Sequence, residues 1–371
     1  VFGKSGTGKT FLTRLLLAGL IKKKVATTII FDMHNEYGLQ ARQESTAKFV
    51  KGLKSLFPSQ IAIFSLDPQA TKRRGAQPDV TVQLSYQDIK VEDILSLQSE
   101  LNLHSTALEA AYLIAAKFHD DWLQALLEQG HDPKEFAQQI GAHPESIAAL
   151  YRKLKRIEKF PFFVPKLPKN QSVIDRLMEY IQKDIHVVIE FGNYTSTFCY
   201  LLLANIITRR IHHAYVLKTE QYLGSQKAGD EPKQLMIVIE EAHKFLNPIA
   251  ASQTIFGTIA REMRKYYVTL FVIDQRPSGI DTEVLSQIGT KIVAQLSDEK
   301  DLQAVLMGTP NANTLRAVLG SLDTKKQALL LGHAITMPMV VETRTYDETF
   351  YTDMQSELSM RPVEQVIQEL F

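Results

Sequence analysis

Eight residues near the start of the chain, GKSGTGKT (Gly3 to Thr10), constrain its fold more than any other stretch. Three glycines in six positions cost backbone entropy, so the chain must make a turn there that side chains would obstruct. The segment fits the pattern G-x-x-x-x-G-K-[ST]. It runs directly into apolar residues at helical spacing, Phe11, Leu12, Leu15, Leu16, Ala18 and Leu20, closed by Lys22, Lys23 and Lys24. A glycine loop opening a helix gathers backbone N–H groups and the positive end of the helix dipole around one point, which suits a phosphate. On that mechanism Lys9 reaches the β- and γ-phosphates of a nucleotide and the Thr10 hydroxyl serves magnesium. Gly3, Lys4, Ser5, Gly6, Thr7, Gly8, Lys9, Thr10 and Phe11 are the candidate nucleotide-holding residues, with ATP and Mg2+ as the cofactors. Such a loop follows a buried strand, of which the sequence offers only Val1 and Phe2; the expectation is that the first strand and a preceding domain lie upstream.

Beyond the loop, short apolar runs alternate with helical patterns, which implies an α/β fold with a mostly parallel sheet covered on both faces. The pattern predicts a helix over 9–23 and strands at 25–32, 60–66, 80–85, 185–191, 234–241 and 267–274, with helices at 196–217 and 251–265 between them. Residues 67–79, DPQATKRRGAQPD, read as an exposed polar loop. Residues 91–184 are almost wholly helical in pattern and read as an insertion. The expected organisation is a first core part at 1–90, the helical insertion at 91–184, a second core part at 185–349 and a polar tail at 350–371. The net charge of +1 excludes neither nucleic acid nor membrane as a partner, since a balanced total can hide a basic lining. No stretch approaches the ~20 apolar residues of a membrane span. The single cysteine, Cys199, allows no disulfide within the chain, and the expected setting is cytoplasmic.

A magnesium nucleotide needs a second protein oxygen, and an attacking water needs a base; both belong at the tip of a neighbouring strand. The segment MIVIEEAH supplies four apolar residues and then Glu240 and Glu241. Strand alternation separates their roles, Glu240 for the magnesium shell and Glu241 for polarising water. His243 can orient the site or serve packing alone. The next strand ends in Asp274, Gln275 and Arg276, and Gln275 is the candidate sensor of the γ-phosphate, because ligands collect at the carboxyl ends of such strands. Asp32 also closes a strand; it can meet water or metal, or cap a turn.

Taken with this core, the blocks GKSGTGKT, FDMHNEYG, IVIEEAHKFL, IAREMRKYYVTLFVIDQRPSGID and VLSQIGTKIVAQLSDEKDL, in that order, make the chain resemble the HerA branch of the HerA/FtsK hexameric P-loop ATPases. The resemblance implies a RecA-like core in a homo-hexameric ring, ATP hydrolysed between subunits, and DNA threaded through the pore without sequence specificity. It also implies an N-terminal β-barrel, missing from this chain, and a partner nuclease or a sirtuin-like effector of antiviral defence. An arginine finger from the neighbouring subunit is part of the same implication; Arg264 is the first candidate and Arg261 the second, in the segment IAREMRKYY, which lacks the glycine that relatives often place before the arginine.

The densest basic stretches, TKRRG (71–75) and YRKLKRIEKF (151–160), are candidates for phosphate contact and equally suit solvated faces. The leading expectation is an ATP-driven DNA translocase. A nucleotide-gated scaffold that regulates an effector is the alternative, whereas a metabolic kinase would need an acceptor pocket that the sequence does not offer.

Overall fold

The computed structural model describes residues 1–4, 6–42, 49–168, 172–324 and 326–356. Its centre is a sheet of six parallel strands: β1 (Thr27–Asp32), β2 (Ile61–Ser65), β3 (Val80–Thr81), β4 (His186–Glu190), β5 (Leu235–Glu240) and β6 (Val268–Ile273), in the order β6-β5-β1-β4-β2-β3. The middle strands TTIIFD, HVVIE and IAIFS are buried at every position, as strands covered on both faces must be. Alternation along them sends neighbouring side chains to opposite layers. Ile30, Val188 and Val238 meet Leu17, Ala18 and Ile21 of the first helix, α1 (Lys9–Lys22). Ile29, Phe31, Val187 and Ile189 face the other way, onto the helix Thr197–Ser225 and the helical segment that precedes β4.

A second sheet is antiparallel, with β7 (Thr290–Val293), β8 (Gln327–Gly332) and β9 (Met339–Glu342) in that order. Phe2 bridges the two sheets, pairing in parallel with Asp274 just past β6 and with Val293 of β7. The Phe2 N–H donates to Ile292 O at 2.9 Å, and Asp274 N–H donates to Val1 O at 3.0 Å. The glycine loop therefore leaves the sheet between β6 and β7, with the tips of β5 and β6 beside it.

Residues 91–184 form short helices, the longest being Ser105–Phe118, whose apolar faces merge with the main core through Ala111, Ile114, Leu126 and Leu150. Asp93, fully buried, ties this segment to the helix Thr197–Ser225: its carboxylate accepts from Asn205 Nδ2 at 2.9 Å and from Arg209 Nε and Nη2 at 2.9 and 2.7 Å. Among the described residues no helix is long and apolar enough to cross a membrane.

Several expectations change. The stretch 67–79 is loop only from 74 onward: Asp67 caps a helix, Pro68–Arg73, by accepting from Ala70 N–H, and Ala70 and Thr71 are buried while Lys72, Arg73 and Asp79 are exposed as expected. The run 80–85 splits, because Leu84–Ser85 leaves the main sheet to pair with Phe163–Val164. The run 251–265 breaks at Thr254, whose hydroxyl donates to Phe245 O, and it closes in a 3-10 turn, Met263–Tyr266. The helix expected over 196–217 continues to Ser225. A helix, Glu348–Ser356, straddles position 350, and Phe350 and Tyr351 are buried against Tyr346; the polar tail from 357 onward lies outside the described residues.

Candidate nucleotide site

The glycine loop is shaped by its own backbone. Gly8 stands at φ 83°, in the left-handed region, and starts α1 without any side-chain cap. Thr7 is buried, and its N–H and hydroxyl both donate to Lys4 O, at 3.3 and 2.7 Å, which curls the loop. Gly3 has no room for a side chain, since a Cβ there would lie 2.8 Å from Ala294 Cβ. With no cap and no acid in the first turn, the opening N–H groups of α1 remain directed at whatever enters the loop.

The loop forms one wall of a cleft of about 590 Å3 that also receives Lys9, Thr10, Glu240, Glu241 and Gln275. Burial lowers the Lys9 pKa, opposed by the charges of Glu240, Asp274, Glu241 and Glu36. Glu240, at the tip of β5, is 8% exposed. Its Oε1 accepts from the Tyr37 hydroxyl at 2.7 Å, whereas its buried Oε2 has no protein partner. Burial pushes the Glu240 carboxyl up to about 7, against the opposing Tyr37 hydrogen bond. The backbone of Glu240 is held by Tyr200, whose hydroxyl donates to Glu240 O at 3.1 Å and accepts from Glu240 N–H at 3.2 Å.

Glu241 turns the chain away from the strand at φ 52°, a left-handed conformation that costs a non-glycine residue roughly 1–2 kcal/mol. Its Oε1 accepts from Gln275 Nε2 at 3.1 Å, so the two residues expected to handle water and γ-phosphate are in contact. Beneath them Asp274 joins the two strand tips. It accepts from the His243 N–H at 2.6 Å and from the Arg276 N–H at 2.7 Å, and it meets His243 Nδ1 at 2.9 Å. That Asp274 hydrogen bond raises the His243 pKa, against the effect of burial.

Asp32 is a turn cap. Its two oxygens accept from Glu36 N–H and Tyr37 N–H, each at 2.8 Å, and burial pushes its carboxyl up to about 7. The turn it holds has several tasks. His34 and Glu36 line the cleft, Tyr37 reaches Glu240, and Asn35 clasps Gly192 through both its amide groups, at 3.0 and 2.9 Å.

Other sequence candidates lie elsewhere. Arg261 lines a separate cavity and donates to Ala251 O at 3.1 Å, with Glu283 at 3.5 Å. The Arg264 side chain and Ser5 lie outside the described residues. In the basic run TKRRG, Arg74 pairs with the buried Glu190 at 2.5 Å and Thr71 is buried. In the run 151–160, Arg156 lies over the Phe198 ring at 4.4 Å and Lys155 donates to the Tyr151 hydroxyl. Sequence reasoning missed Arg14, Tyr37, Tyr200 and the segment 343–347, which also lines the cleft. Arg14 is buried, donates to Glu36 O at 3.1 and 2.8 Å and covers the Phe11 and Tyr37 rings. Only the aromatic within FDMHNEYG was a signal, and its partner lies 203 residues away.

The donor set fits a magnesium nucleotide. A threonine hydroxyl and an orphaned carboxylate oxygen in one cleft are the hard oxygen ligands magnesium takes. Among the described residues no cluster of three or more His, Cys, Asp or Glu is arranged to hold a metal by itself.

Comparison with known proteins agrees with this architecture. The family model described as the central domain of helicase HerA matches residues 1–211. The chain is 22% identical over 374 residues to the DNA double-strand break repair helicase HerA of Pyrococcus furiosus, covering 94% of this chain and 65% of that protein. It is 35% identical over 116 residues to the protein of the same name from Sulfurisphaera tokodaii, covering 30% and 23%. The chain thus spans less than two thirds of the length of these relatives. Among solved structures, VirB4 of Thermoanaerobacter pseudethanolicus superposes with a TM-score of 0.57 at 13% identity, covering 94% of this chain and 90% of that one. The plasmid coupling protein TrwB, in complex with the non-hydrolysable GTP analogue GDPNP, gives 0.58 at 12% identity, covering 92% and 84%. At such identities the likeness establishes the fold, a RecA-like P-loop core with a mostly parallel sheet.

Proposed function

The chain belongs to the family of the HerA helicase central domain, and from that premise we propose that it is the ATP-hydrolysing core of a hexameric DNA translocase. One observation carries the reading: four side chains from three separate parts of the sequence, Lys9, Glu240, Glu241 and Gln275, converge on the cleft under the uncapped start of α1. Lys9 and the loop N–H groups bind and orient the phosphates. Glu241, steadied by Gln275, accepts a proton from the attacking water, and Gln275 reports the γ-phosphate. Thr10 and the orphaned oxygen of Glu240 would hold magnesium, which when bound neutralises charge on the phosphate oxygens. Arg261 lines another cavity and not the cleft of its own chain, which suits a group that completes a neighbour's site; Arg264 remains the first candidate from the sequence, and an arginine in trans contributes ~10³ or more in rate. DNA as the track and a role in break repair draw support from the names of the relatives given above, and a nuclease or sirtuin-like partner belongs to the same proposal on the sequence resemblance alone.

The test is ATP hydrolysis measured with and without duplex and single-stranded DNA at low salt. Stimulation by DNA, silence of Lys9→Ala and a ring-sized mass in light scattering are the expected results. Hydrolysis indifferent to both forms of DNA would remove the motor, and a Lys9→Ala variant as active as its parent would remove the site.

A further inference from the structure

One wall of the cleft takes no part in phosphate chemistry. It is the strap of residues 343–347, which follows β9 and leads into the helix Glu348–Ser356. The strap is fixed from behind. Tyr346 is 7% exposed, its hydroxyl donates to Lys51 O at 2.9 Å, and its ring stands edge-on to Phe11 at 6.1 Å. Asp347 accepts from Phe350 N–H at 3.1 Å through Oδ1 and from the Thr345 hydroxyl at 2.6 Å through Oδ2. Arg344 pairs with Asp353 and lies over the Phe350 ring. The wall is thereby formed before any ligand arrives, which lowers the ordering cost of binding against it.

Its position follows from the chemistry opposite. A triphosphate gripped by Lys9 has its terminal phosphate beside Glu241 and Gln275, so the rest of the molecule must leave in the other direction. Along α1 that direction passes Phe11 and Leu15, the latter roughly 9 Å beyond Lys9 at about 1.5 Å of rise per residue. Phe11, Leu15 and the strap all line the cleft. We infer that the strap 343–347 is the nucleoside subsite, seating base and ribose against the surface it forms with Phe11 and Leu15. The inference rests on the reading of the cleft as a triphosphate site.

Calorimetric binding of two ligands to the whole chain separates the possibilities: ATP, and inorganic tripolyphosphate, which has no nucleoside. Tyr346→Leu keeps bulk but removes the ring and its anchoring hydroxyl; Asp347→Ala, at an exposed position, loosens the strap without disturbing the core and serves if the first variant does not fold. Each is expected to weaken ATP by about five- to tenfold, the ordering cost of a wall no longer fixed in advance, and to leave tripolyphosphate unchanged. Equal weakening of both ligands would mean that the strap only props the loop, and unchanged ATP affinity would place the nucleoside elsewhere; either result overturns the inference. Lys9→Ala should weaken both ligands, and if it weakens neither, the failure lies with the triphosphate reading and not with the strap.

Discussion

Replacing Tyr37 by phenylalanine removes one hydroxyl and leaves the ring. In the parent protein that hydroxyl donates to Glu240 Oε1 at 2.7 Å, and the other oxygen, Oε2, has no protein partner. The variant therefore leaves a buried carboxylate without this donor. Hydrogen bonds to charged groups contribute about 1.5–3 kcal/mol, and one pKa unit corresponds to about 1.4 kcal/mol, so the carboxyl should rise by roughly one to two units. Its parent value is about 7, already raised by burial, and the Tyr37 bond is the largest influence in the opposite direction. Losing a group that favours the charged form keeps the carboxyl protonated to higher pH. The acid limb of kcat/KM for ATP hydrolysis, which reports the free enzyme, should thus move toward alkaline pH, with activity recovering above it. A limb that stayed in place, or a rate that fell equally at every pH, would refute the assigned role of this pair.

Stability should depend on pH through His186, which is buried with Nδ1 accepting from Thr28 N–H at 3.0 Å. Burial depresses its pKa from 6.5 to about 4, so the neutral ring favours folding above pH 6.5 and that contribution disappears as the pH falls. Linkage gives a loss of about 2 kcal/mol at pH 5; urea unfolding of parent and His186→Asn should converge by that amount between pH 7.5 and 5, and a constant gap would refute it. Glu241→Gly relieves the positive φ and should raise folding stability by up to about 1 kcal/mol while hydrolysis falls at least a hundredfold. Equal loss of stability and activity would count against a strained catalytic position.

Local chemistry was legible in the sequence. The loop Gly3 to Thr10 and the acid pair at the tip of β5 are written in consecutive residues, and periodicity placed the strand that carries the acids. What escaped was any role defined by a partner far along the chain. Tyr200 supports Glu240 from within a long helix whose apolar residues give no reason to single out one hydroxyl. Tyr346 lines the cleft from a segment, 343–347, that no motif marks. Composition misled at 67–79, where charge suggested solvent, yet Arg74 turns inward to neutralise Glu190 and Thr71 adds a hydrogen bond to the same carboxylate.

Asp274 grips the turn that carries Glu241 and the turn that carries Gln275 with one rigid carboxylate. Under the proposed function the two strand tips are consequently geared: a shift of Gln275 as phosphate leaves would pass through Asp274 to the turn that carries Glu241. On that reading each subunit has a single lever, so its idle and loaded postures should interchange as a whole rather than piece by piece.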